Sequence, residues 1–442
     1  MLKSAIAFFP VIALISLASI DAKAESIAER IELSGKFESQ LAFGTTTHIA
    51  QKKAFVLTPE IGIDLTPALH LTVIARLRSD IADELEPGKP EQRNRSHYST
   101  RHFTGTHADT ELREAYIDAE IDNTFLRIGK QQVVWGQADG LKVLDILNPQ
   151  TFREFILNDF EDSRIPLWTV NAEIAIGDAF MQVVWIADQT YDDIPKPGAT
   201  FAFTSPQIIP SLAPGIPTTI STPTRPSKFL ADSDIAAQFS LFINGWDLSL
   251  NYAYHYSDQP VIRRNHSQTG ITVRQNYERT HLLGGSFSNV FGDFTFRGEI
   301  GYSSHRFFLT NNIADRDGVI ESGELAYVVG TDYQGLRDWL VSAQFFQSII
   351  TNPDTNVVRD EVNTTTTFLV RRDLMNETLE AEVLLIHTLN QSDGVVQASL
   401  KYEWITNIHL SVGADIFYGV SKGLFGQFND KDRVTVGVEV GF

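Results

Sequence analysis

The chain has 442 residues, no cysteine and a formal net charge of −19. That length fits two or three soluble domains or one extended β array. The missing thiols exclude a disulfide framework and cysteine chemistry, and the acidity argues against nucleic acid as a partner.

Lys3 precedes an apolar run from Ala5 to Ile20, and Ala22-Lys23-Ala24 supplies small residues where a signal peptidase reads. Residues 1–24 therefore read as a signal peptide and 25–442 as the mature chain. As a membrane anchor the run is short and broken by Pro10. No later stretch is long and apolar enough for a transmembrane helix, so any membrane span must be made by alternating strands.

Taken in order, the segments do alternate. Leu69, Leu71, Val73, Ala75 and Leu77 oppose His70, Thr72, Arg76 and Arg78; Ala115, Ile117, Ala119 and Ile121 oppose Glu114, Tyr116, Asp118 and Glu120. Each has one oily and one polar face. Between them, the charged stretch from Ser79 to Asp109 carries His97, His102 and His107. A spacing of five suits neither face of a helix or strand, which favours solvated loop residues over a metal site.

The next stretch, Leu126 to Trp168, breaks the pattern. It begins as the strand Leu126-Arg127-Ile128-Gly129-Lys130-Gln131 and stops at Trp135-Gly136. Asn148 is a good N-cap and Pro149 a good first helical residue, while Phe152, Phe155, Ile156 and Phe160 recur at helical spacing, which predicts a short amphipathic helix. Among membrane-spanning strands, the lumen of a barrel is the place where such a helix can bury its apolar side, so 135–166 is expected to form a plug or constriction. A packed surface loop is the plainer alternative. Asp159, Glu161, Asp162 and Arg164 are placed to pin the segment against the wall.

Two further polar loops follow, Gln189 to Ala231 and Asp258 to Arg279. In a fourth, from Ser304 to Gly323, Gly318 aligns with the turn glycine of a calcium loop, putting Asp315, Asp317, Glu321 and Glu324 at oxygen-ligand positions. Ile313 falls on the first ligand position, where Asn311 or Asn312 would have to substitute, so the calcium pattern is incomplete and an acidic turn is the plainer reading. The chain ends with Val434, Val436, Val438, Val440 and Phe442 on one face. A strand closing on a terminal Phe resembles the signal by which the barrel-assembly machinery recognises outer-membrane barrels.

Short turns at Thr66-Pro67, Asp122-Asn123, Gly177-Asp178, Asn244-Gly245, Gly292-Asp293, Gly335-Leu336 and Thr406-Asn407 alternate with the longer loops. That asymmetry predicts an all-β, antiparallel transmembrane barrel of about 18 strands, or 16, with periplasmic turns and termini and with membrane lipid and lipopolysaccharide around it. Trp135, Trp168, Trp246, Trp339 and Trp404 fall near predicted strand ends, as an aromatic girdle would place them.

Inward-facing Arg76 and Arg78, then Glu114, Asp118 and Glu120, then Arg127 and Gln131, would form a ladder of alternating sign across adjacent strands. Such ladders orient polar solutes in a pore, or else merely pair and solvate the wall. The expected constriction adds Trp135, Asp159, Asp162 and Arg164. No nucleophile elbow, zinc-protease motif or phosphate loop is present, so no enzyme activity and no cofactor beyond calcium is expected.

The run Arg127-Ile128-Gly129-Lys130-Gln131 with Trp135-Gly136 and Asn148-Pro149 resembles the Gly-Arg-Gln, Trp-Gly and Asn-Pro pattern of a proteobacterial outer-membrane barrel family of unknown function, Lys130 replacing the usual arginine. The resemblance implies a transport component, working beside an exporter of the resistance-nodulation-division (RND) type and a periplasmic partner on hydrophobic or lipid-like molecules. A solute-selective uptake porin is the first alternative; a barrel enzyme or surface adhesin is the second.

Overall fold

The computed structural model describes residues 30–442 except 139, 211–214, 268–269 and 313–314, so the signal sequence read at 1–24 lies outside it. Among the described residues, eighteen antiparallel strands form a closed ring. Ile31–Gly44 pairs on one side with Ala50–Thr66 and on the other with Arg433–Gly441, joining Gly44 to Arg433 and Lys36 to Gly441. Closure pairs every strand edge, which allows a sheet to face lipid.

Period-two alternation decides what faces where. In the last strand Val434, Val436 and Val438 are exposed outside while Arg433 is buried inside. The strand Phe294–Leu309 turns Phe294, Phe296, Ile300 and Tyr302 outward and buries Glu299 within. The outer surface is therefore apolar and the lumen polar, as a membrane barrel requires.

Connections also sort by end. The predicted short turns lie at one end, and Asn244-Gly245 shows why they are tight, since both residues take left-handed φ, 51° and 83°, as a two-residue hairpin turn demands. An eighth turn joins Leu374 to Leu379 through Met375, Asn376 and Glu377, which also have positive φ but include no glycine or proline to announce it. At the other end stand 81–107, 132–166, 187–233 and 257–278. Thr218–Ile220, Val261–Ser267 and Gly270–Asn276, from two of these loops, build a small separate sheet.

Two expectations change. The loop predicted from Ser304 to Gly323 shrinks to 310–318, because the flanking strands run on to Leu309 and start again at Val319. Trp246, Trp339 and Trp404 do sit at strand ends, but Trp135 is buried in 132–166, away from any girdle.

Candidate functional site: a loop across the lumen

The strand Thr124–Gln131 ends abruptly, and the chain returns only at Leu167. Gly129, opposite Tyr116 and two residues before the strand's end, has no room for a side chain: at φ 141° a Cβ would lie 2.6 Å from the Tyr116 Cα. Between the two strands, 132–166 forms two lobes joined at a neck. Asn148 ties that neck, its Oδ1 accepting from Val133 N at 2.7 Å and its Nδ2 donating to Ile165 O at 2.9 Å.

The first lobe is held mainly by apolar packing. Val133, Trp135, Val143, Leu144 and Leu147 pack on inward residues of the wall, among them Ile186, Ala236, Ala253 and Val328. Trp135 keeps its indole N–H satisfied through Gln182 at 2.7 Å. The backbone of this irregular lobe bonds to itself where Ile146 N donates to Leu144 O, and donors elsewhere in it need external acceptors. Glu299 supplies them, accepting from Gln137 N, from Ala138 N at 2.7 Å and from Leu144 N at 3.1 Å.

The second lobe is held largely by charge. Glu154 is buried between Lys52 at 2.6 Å and Arg433 at 2.8 Å, and Arg433 also holds Asp415 at 2.7 Å. Arg153 reaches Asp80 and, at 3.0 Å, Glu86. Phe155 anchors the lobe among Phe203, Phe417, Phe425 and Phe428. Counted around the ring, Glu299 lies on the eleventh strand and Lys52 on the second, so the two lobes are fastened to opposite sides of the barrel.

The predicted helix is not formed; within 148–166 one helical turn, Phe160–Ser163, is present. Phe155 takes φ 55°, incompatible with a right-handed helix, and Gln150 and Thr151 pair instead with Arg164 and Asp193. The apolar spacing serves different contacts: Phe155 enters the aromatic cluster while Phe160 lies under Lys142 at 4.4 Å.

Of the predicted ladder only Arg127 and Asp118 pair with each other; Arg76 and Arg78 pair with carboxylates outside the predicted set. Arg127 binds Asp118 at 2.6 Å and stacks on Tyr116, Arg76 binds Glu111 at 2.5 Å, and Arg78 binds Asp109 at 2.8 Å and Glu86 at 3.0 Å. Glu114 accepts from Gln132 at 3.0 Å, Gln131 is buried against Arg127 O, and Glu120 is exposed near a turn. Arg164 bonds to Asp145 within the loop at 2.8 Å rather than to the wall. Asp162 lies 3.9 Å from Lys36, the Glu161 carbonyl accepts from Arg113, and Asp159 is exposed toward the turn-side lumen.

Against the cost of burial, Arg101 and Arg78 hold Glu86 well below the usual carboxylate range, and Lys52 with Arg433 does the same for Glu154. Asp192, which accepts from Gln150 N at 2.7 Å, is shifted the other way. Burial pushes it up to about 7, aided by Asp193. Burial and Asp192 likewise raise its neighbour Asp258.

The proposed calcium ligands are not brought together. Asp315 caps its own turn through Asp317 N and Gly318 N, Asp317 pairs with Arg263, Glu321 faces His305 and Glu324 pairs with Arg306 and Arg359. Among the described residues no three His, Asp or Glu side chains are grouped to hold a metal.

Sequence reasoning missed Glu299, Lys52, Glu154, Arg153 and Arg433. A charged pair, Arg153-Glu154, set between Phe152 and Phe155 was the available signal.

An eighteen-stranded barrel with short turns at one end and a long loop folded into its lumen has the architecture of an outer-membrane porin. Solved structures agree in fold: OccAB2 of Acinetobacter baumannii, 12% identical with TM-score 0.54, covering 95% of this chain and 99% of that one; OccAB3 of the same organism, 10% and 0.51, covering 93% and 98%; and the outer membrane protein OpdK of Pseudomonas aeruginosa, 10% and 0.51, covering 94% and 99%. No curated protein matches in sequence. The chain belongs to the family described as "Protein of unknown function (DUF1302)", whose model matches residues 75–322, more than half its length.

Proposed function

We propose that the chain is a gated channel of the bacterial outer membrane, its termini in the periplasm, which passes small polar solutes by way of the loop across its lumen. The observation that carries this reading is a pair of cavities, one on each side of the second lobe. The loop-side cavity is about 610 Å³ and the turn-side one about 490 Å³. Both are of the size that holds small ligands, and charged groups such as Lys89, Arg101 and Asp193 line the first, and Glu38, Arg76 and Glu439 the second.

A part beside an RND-type exporter and its periplasmic partner, with a hydrophobic or lipid-like cargo, rests on the family resemblance; so much charge in the lumen favours polar cargo. The test is single-channel current from the purified, refolded chain in a planar bilayer, beside a variant lacking 141–160. Small or intermittent current from the intact chain and a large, salt-proportional current from the variant are expected. A folded variant as silent as the intact chain overturns the channel reading.

A further inference from the structure

We infer that solutes cross the second lobe at Thr151 and Arg153, and that the Arg153 side chain is the lock on that passage. The inference rests on the channel reading above and places its route. The loop-side and turn-side cavities share two lining residues, Thr151 and Arg153. These two residues stand between the cavities. Arg153 also borders a hollow of about 20 Å³ enclosed with Arg78, Asp80 and Glu86.

The bonding around Arg153 separates the backbone from the lock. The backbone is fixed: Thr151 N donates to Ser163 O at 2.8 Å, Phe152 N donates to Asp193 O at 2.9 Å, and Glu154 is clamped by Lys52 and Arg433. The guanidinium is held mainly by Asp80, the last residue of the strand Leu69–Asp80, and by Glu86, in the loop beyond it. Its third carboxylate, Glu154, is at 3.5 Å. Releasing Asp80 and Glu86 would free a long, rotatable side chain while the rest of the lobe stays tied. Opening then needs a rotamer change and no unfolding of the loop.

Glu86 is itself shared. It holds Arg78 at 3.0 Å and Arg101 at 2.6 Å besides Arg153 at 3.0 Å, so the lock is coupled to the wall and to the loop of 81–107. Neutralising Glu86 should loosen all three.

Because the chain has no cysteine, Thr151→Cys introduces a sole thiol whose modification can be read in a bilayer. Arg153→Ala removes the side chain that lines both cavities and is expected to raise the open-channel current several-fold, with Glu86→Gln intermediate and Arg153→Lys closest to the natural chain. In the doubly substituted Thr151→Cys, Arg153→Ala protein, a charged methanethiosulfonate should cut that current when added from either side. An unchanged current in folded, heat-modifiable Arg153→Ala, while the variant lacking 141–160 conducts, overturns the inference. So does a modified thiol at 151 that leaves the current intact. Silence of every variant, the deletion included, removes the channel reading instead.

Discussion

The Oε2 of Glu299 accepts the backbone N–H of Leu144 at 3.1 Å, and the Leu144 side chain lies in the hollow left by Gly284 and Gly301 on the same wall. Polar and apolar halves of one anchor therefore meet at a single residue of the loop. A carboxylate buried alone would be costly, and so would the unpaired N–H groups of an irregular loop; placed together, each satisfies the other. Gly136 completes the fit, since a Cβ there would stand 2.5 Å from the carboxylate.

Replacing Glu299 with Ala should strand the buried Leu144 N–H, at about 1–3 kcal/mol, and free the half-buried Gln137 and Ala138 N–H groups at smaller cost. Glu299→Gln keeps the shape and one carbonyl acceptor and should cost less. Urea unfolding in detergent would show the order, natural chain above Gln above Ala, and the bilayer current should rise in the reverse order. Equal stability of the Ala variant and the natural chain would mean that the first lobe does not depend on this carboxylate.

The small residues of the wall make a sharper comparison. A Cβ on Gly284 would lie 2.5 Å from Leu144 Cδ2 and also collide with the Ile300 carbonyl, whereas one on Gly301 would meet only side chains, at 3.1 Å or beyond. Side chains can yield and the backbone carbonyl cannot. Gly284→Ala should therefore displace the lobe while Gly301→Ala is nearly tolerated, and Leu144→Ala should cost about 2–5 kcal/mol as a cavity forms. Proteolysis of the loop in the folded barrel would rank the three, with Gly301→Ala the least cleaved.

The barrel could be read from local signals because its strands obey a period of two and its turns use residues such as Asn244-Gly245 that favour the required conformation. The turn at Met375-Asn376-Glu377 lacked such a signal and went unread. In the loop, Asn148 was correctly singled out but for another role: helix cap in the sequence pattern, neck tie in the fold. Phe152, Phe155, Ile156 and Phe160 mimic helical spacing, but Phe155 and Phe160 serve separate contacts, the aromatic cluster and Lys142. Glu299 and Arg433 could not be connected to the loop from the sequence, since Arg433 meets Glu154 across 279 positions. Local periodicity carries no information about such a distant contact.

That contact yields a third prediction. Glu154, Lys52 and Arg433 are all buried, so removing one partner leaves an uncompensated charge, and Glu154→Ala should destabilise by about 3–5 kcal/mol. Arg433→Ala leaves Glu154 with Lys52 but exposes Asp415 to the same deficit. The double variant should lose less than the sum of the two, a coupling that unfolding of both singles and the double would reveal. Arg164→Ala breaks contacts inside the loop, the pair with Asp145 and the stacking on Phe160, and should leave the current far less changed than Glu154→Ala.

The last prediction concerns pH. Asp192 ties Gln150 N to the loop of 187–233, and burial raises its carboxyl from an ordinary value of 3.8 to about 7, with Asp193 adding to the rise and Gln150 N and Lys142 opposing it. Asp258 beside it is raised too, by burial first and then by Asp192 and Asp234, with Arg306 opposing. The folded chain therefore holds these protons more tightly than the unfolded one, and the stability that Asp192 contributes should fall as pH rises from about 4 to about 7, with Asp258 acting in the same direction. Glu86, held low by Arg101 and Arg78 despite burial, acts in the opposite direction: its contribution is present above 4.5 and lost as pH falls below. Urea midpoints should thus pass through a maximum on the acid side of neutrality. Asp192→Asn should flatten the limb toward neutral pH and leave the acid limb in place; if the limb toward neutral pH keeps its slope in that variant, the decline belongs to another group.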